Sequence, residues 1–207
     1  MEPFDKILEL CRRYTNSLTD VVFIGGVAVY LYLIRKSLSN IEPETSHDAD
    51  FMVSFEDYGH LKDLVEITFN RHLVKHQMID EGVELDMYVE HLNKLIVPYD
   101  EVFAHHTEIE QTRVACLEHL FVLKLDAFQD RKTSPRGEKD RRNIVTIGLL
   151  LGRRAKKPLI EPYMRDELYV SLQDIAKSRV FFELYEHNSH AAKKAKIDFA
   201  AFASSLA

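Results

Sequence analysis

Apolar positions recur along this chain with two periods, near 3.6 and 2, and the points where one gives way to the other predict its elements. Phe4, Ile7, Leu8 and Cys11 fall at helical spacing, so residues 3–14 are expected as an amphipathic helix. Apolar residues, mostly β-branched and aromatic, then run from Val21 to Ile24 up to Gly25-Gly26, which predicts a short buried strand over 20–24. Residues 27–38 read as a helix whose end carries Arg35 and Lys36, and residues 40–45 as a polar loop. Residues 48–53 predict a second strand, and 56–69 a helix, with Tyr58, Leu61, Leu64, Val65 and Thr68 at helical spacing. Residues 73–79 and 83–89 form a hairpin pattern connected by Asp80-Glu81-Gly82. In its second arm Val83, Leu85, Met87 and Val89 take one face and Glu84, Asp86 and Tyr88 the other, so Asp86 projects away from the apolar layer.

A short helix-and-strand stretch is expected over 99–114, a strong helix over 117–131, a loop over 132–137 because of Pro135 and Gly137, and another helix over 138–151. Residues 161–207 read as helical throughout. This order predicts an α+β protein with a mixed helix-and-strand core over 1–115 and an all-helical domain over 116–207, and 207 residues suffice for both.

Composition narrows the class. Apolar residues make up 46% and charged residues 29%, with 7 Gly and 6 Pro, as in an ordinary globular protein rather than a collagenous or disordered one. The longest nearly apolar stretch, residues 21–34, is too short and glycine-interrupted to cross a membrane. The acidic start, Met1-Glu2-Pro3-Phe4-Asp5, does not resemble a secretory signal, and a cytoplasmic location is expected. Cys11 and Cys116 are too few for a disulfide framework or a zinc site and are expected as buried thiols. The ten histidines do not form a zinc motif, although His47 adjoins Asp48. A net charge of −6 argues against bulk coating of nucleic acid, yet residues 131–157 hold ten Lys or Arg against Glu138 and Asp140. A polyanion would dock on that segment.

Four clusters carry candidate chemistry. Asp48 and Asp50, two apart on a strand, leave the same face and can share Mg²⁺, a hard cation that prefers oxygen ligands. Asp86 on a nearby strand would allow a second ion. Gly25 and Gly26, between a strand and a helix, let a phosphate approach free backbone amides. Lys124 lies on a stripe with Leu117, Phe121 and Phe128 that Arg131 continues, and its ammonium could meet a triphosphate. Asp140, on a stripe with Ile144, Ile147 and Leu151, calls for a cationic partner such as Lys124, Arg131 or Lys139.

This order resembles the nucleotidyltransferase superfamily of DNA polymerase β-like fold: a glycine turn, a D-x-D strand and a third Asp strand. Leu123-Lys124-Leu125-Asp126-Ala127 through Arg131, with Glu138-Lys139-Asp140, resembles its AbiEii/AbiGii toxin-type branch. Ser46 stands where that pattern often has Thr, and residues 133–137 lengthen the segment before Lys139. The resemblance implies a small mixed β-sheet flanked by helices, a helical C-terminal domain, and Mg²⁺-dependent transfer of a nucleoside monophosphate from an NTP to an acceptor hydroxyl. Asp48, Asp50 and Asp86 would be the catalytic and metal-binding residues, and Gly25, Gly26, Ser46, Lys124 and Arg131 would bind the nucleotide. The acceptor would be a tRNA or other RNA end, or a protein, and a toxin role would imply a cognate antitoxin. Two other classes fit the residues: an inactive nucleotidyltransferase-like module that binds RNA or a protein, and a metal-dependent nuclease using Asp50, Glu84 and Asp86. The nuclease lacks a lysine at the usual acid-x-Lys spacing.

Overall fold

The computed structural model describes residues 3–36, 38, 41–71, 74–186 and 188–206. The expected loop start at Asn40, strand start at Leu73 and the histidine at 187 lie outside them. The described residues divide into two units, one drawn from 3–35 and 43–116 and one drawn from 36–42 and 117–206.

The first unit is built on a mixed seven-stranded sheet. Its strands are β1 (Val21–Ile24), β2 (Asp48–Val53), β3 (Ile67–Asn70), β4 (Lys75–Asp80), β5 (Val83–Val89), β6 (Thr107–Ile109) and β7 (Thr112–Val114), in the order β3-β4-β5-β2-β1-β7-β6. The central strands β1 and β2 carry Val21, Val22, Phe23, Phe51 and Val53, all buried, as a strand covered on both faces requires. Helix α1 (Pro3–Ser17) turns Ile7, Leu10, Cys11 and Tyr14 inward and packs on β1, β2 and β7. Burial pushes the Cys11 thiol far up, so it stays a protonated packing group.

Several elements differ from the sequence expectation, among them residues 161–207, whose described residues form a 3₁₀ turn and three separate helices rather than one helical run. The helix expected over 56–69 ends as α3 (Phe55–Leu64): Val65 is already extended at φ −138°, and Ile67–Asn70 becomes the edge strand β3. The alternating Val65, Ile67 and Phe69 outweigh the helical spacing once β4 offers a partner ladder. The hairpin connection is two residues, not three, because Glu81 (φ 49°) and Gly82 (φ 81°) make the left-handed turn that suits hairpin twist. That pairs Asp80 with Val83 and hence Gln77 with Asp86.

In the first unit the short helix α4 (Tyr99–Ala104) precedes β6; in the second α5 (Leu117–Arg131) packs on α6 (Pro135–Leu151), and α7 (Asp166–Lys177), α8 (Val180–Leu184) and α9 (Ser189–Leu206) complete a helical bundle. Helix α6 begins three residues earlier than expected because Pro135 takes the first turn and Ser134 caps it, its hydroxyl accepting from the Gly137 amide at 3.1 Å. A Cβ at Gly137 would overlap the Arg131 carbonyl oxygen, so the tight approach of α5 to α6 needs a glycine there. Lys132 precedes helix α6, Arg136, Lys139, Arg141 and Arg142 lie in its first half, and Arg153, Arg154, Lys156 and Lys157 follow its end, about 16 Å beyond Arg142 at 1.5 Å per residue. Among the described residues no helix is long and apolar enough to cross a membrane.

Gly137→Ala is expected to destabilise the protein by about 1–3 kcal/mol, the usual cost of forced overlap in a packed interior, read as a lower urea midpoint. An unchanged midpoint would show that the α5–α6 turn can relax around a methyl group.

Candidate active site

The sheet register places the first three clusters together. Asp50 of β2 lies opposite Ile24 of β1 on one side and Asp86 of β5 on the other, and Asp86 in turn lies opposite Gln77 of β4. Cross-strand partners share a face, so Asp50, Asp86 and Gln77 form one row and Asp48 and Glu84 the next. Strand β1 runs directly into α2 (Gly25–Lys36) at the end of that row. Gly25 makes the junction at φ 70°, and a Cβ there would overlap Asp50 Oδ2. The glycine therefore does two things: it permits the left-handed turn and it leaves room for the Asp50 carboxylate. Gly26 is buried in the first turn of α2.

Asp48 is held by Ser46, whose hydroxyl donates to Oδ1 at 2.8 Å. Ser46 is buried although it sits in a loop, and His47 between them is exposed. Asp48 and Asp50 offer hard oxygen donors on one face of a strand, the donor chemistry that Mg²⁺ takes, and the Asp50 carboxylate lies where a side chain at position 25 would be.

Asp86 departs from expectation in its surroundings. It lies on the face opposite Leu85 and Met87, as the alternation predicts, but it is 0% exposed. Lys75 Nζ donates to its Oδ2, and Gln77 Nε2 donates to its Oδ1 at 2.7 Å and to Glu84 Oε1 at 2.5 Å. Among the described residues no group of three or more His, Cys, Asp or Glu side chains is arranged to hold a metal ion. The third carboxylate is thus committed to an ammonium and an amide. Sequence reasoning passed over Lys75 and Gln77; the two-residue Glu81-Gly82 turn is the signal that would have paired Gln77 with Asp86 and put Lys75 on the same face. His76, between them, faces the other way toward the rings of Tyr58 and Phe69, and burial lowers its pKa so that it adds no charge at neutral pH.

The fourth cluster belongs to the second unit. Lys124 Nζ donates to Asp140 Oδ1 at 3.1 Å, and Arg131 Nε donates to Asp140 Oδ2 at 2.6 Å. Asp140 is buried, so the acid on the α6 stripe is met by both cations of the α5 stripe. That unit also holds a cavity of about 670 Å³ between the end of α6 and α9, lined by Gly148, Ala191, Ala195 and Phe202 with Arg153 and Lys157 among its polar residues. It contains none of the residues assigned from sequence.

No family model and no curated protein matches this chain. Among solved structures, an antigenic nucleotidyltransferase-like protein from Paracoccidioides brasiliensis superposes with a TM-score of 0.54 at 16% identity, over 93% of this chain and 92% of that one. JHP933 from Helicobacter pylori superposes at 0.49 and 14% identity, over 98% of this chain and 90% of that one. The first likeness shows a nucleotidyltransferase-like α+β fold.

Asp140→Ala leaves Lys124 buried without its acid and is expected to cost about 3–5 kcal/mol, as for other broken buried pairs. Chemical denaturation checks it, and a cost below that of an ordinary surface substitution would contradict the pairing.

Proposed function

We propose that this protein is a nucleotidyltransferase that moves a nucleoside monophosphate from an NTP to an acceptor hydroxyl and releases pyrophosphate. The observation that carries this reading is the row formed by Asp50 and Asp86, with Asp48 beside it and the Gly25 turn against Asp50: a glycine turn next to a D-x-D pair, one carboxylate of which occupies the space a side chain at the turn would fill. Asp48 and Asp50 are the Mg²⁺ ligands, and Asp86 is the third acid of the site. Bound there, the ion would offset charge on the phosphoryl group and on the departing pyrophosphate. Ser46 holds Asp48 in place, and the amides at the start of α2 receive phosphate at Gly25 and Gly26. Lys124 and Arg131 are assigned to the triphosphate on the sequence resemblance alone; both are engaged by Asp140. An RNA end, a tRNA end or a protein hydroxyl is the acceptor class, and a toxin role within the AbiEii-like branch belongs to the same reading.

The inactive binding module is the second reading, favoured by the commitment of Asp86 to Lys75 and Gln77. The two are separated by incubating the full chain with each α-labelled NTP, Mg²⁺ and total cellular RNA or protein. Transfer of label that falls by at least about 100-fold in Asp48→Ala and in Asp50→Ala, comparable to loss of a major transition-state contact, supports the enzyme. Retention of full transfer in either variant refutes the assignment, and binding of RNA or protein without any transfer favours the module.

A further inference from the structure

Lys75 is 7% exposed and Asp86 is fully enclosed, so their ion pair is interior, with Gln77 occupying the second carboxylate oxygen. Such a charge must be compensated where it lies. In a site with two divalent ions the third carboxylate is neutralised by one of them; here an ammonium delivered by the neighbouring strand does so. We propose that Lys75 is a positioning residue that replaces the second divalent ion, so that this site binds one ion, on Asp48 and Asp50, and Asp86 is not a metal ligand. The inference rests on the reading of Asp48 and Asp50 as the ligand pair.

Three features converge on it. The pairing is built into the fold, because the Glu81-Gly82 turn sets the register that brings β4 against Asp86, and Gln77 ties Asp86 and Glu84 of β5 to the same strand. A divalent ion on Asp86 would add two positive charges beside an enclosed ammonium, where repulsion is weakly screened. Asp48, by contrast, is held by a neutral hydroxyl that brings no competing charge. Lys75 therefore supplies fixed positive charge to the acidic face and leaves the mobile ion to the D-x-D pair.

The test counts ions. The full chain is dialysed to equilibrium against Mn²⁺ and a non-hydrolysable NTP analogue, with the analogue present on both sides. The expected result is one ion per wild-type chain, two in Lys75→Met, and none in Asp48→Ala or Asp50→Ala. Because Lys75→Met leaves Asp86 enclosed without its partner and can unfold, the charge-neutral pair Lys75→Met with Asp86→Asn is measured alongside it. One ion at an affinity within about tenfold of wild type, the lower end of an outer-sphere effect, is expected there. Two ions on the wild-type chain, or loss of the ion in the double variant, would overturn the inference while leaving the nucleotidyltransferase reading intact. No ion on the wild-type chain would instead overturn the ligand assignment beneath it.

Discussion

Strand β2 is the constraint on which the candidate site depends. It pairs antiparallel with β1 and parallel with β5, and those two ladders align Ile24, Asp50 and Asp86 across the sheet. A slip of one residue on either side would turn the acids to the opposite face and put Ala49 or Phe51 in their place. The buried Phe51 and Val53 hold the register from the far side of the strand, so the same packing that stabilises the core also aims the carboxylates. Gly25 completes the arrangement because the chain must change direction at the level of Asp50 without adding atoms there.

Both units meet an enclosed aspartate with cations rather than leaving it to solvent. In the first, Asp86 is held by Lys75 and Gln77; in the second, Asp140 is held by Lys124 and Arg131. In each case a buried carboxylate is tolerable because a neighbouring element supplies positive charge and hydrogen bonds together. The consequences differ. The Asp140 cluster joins two helices of a bundle, whereas the Asp86 cluster lies beside a pair of acids suited to a divalent ion.

Much of this arrangement was legible in the sequence where a residue's parity or spacing determines its face. Asp48 and Asp50 had to share a side, Asp86 had to oppose Leu85 and Met87, and Asp140 needed a cation; all of these hold. What escaped depended on pairing between segments. Residues 65–69 match a helical spacing almost as well as an alternation, and only the ladder to β4 decides in favour of a strand. Reading the connection as Asp80-Glu81-Gly82 rather than Glu81-Gly82 concealed that Gln77 lies opposite Asp86, and with it the role of Lys75.

The account is tested most directly by an anomalous diffraction map of crystals of the full chain grown with Mn²⁺ and a non-hydrolysable NTP analogue. A peak coordinated by Asp48 and Asp50, with the analogue's phosphates against the amides of Gly25 and Gly26, is the predicted result. A peak on other residues, or an analogue bound with no ion at the D-x-D pair, would contradict it.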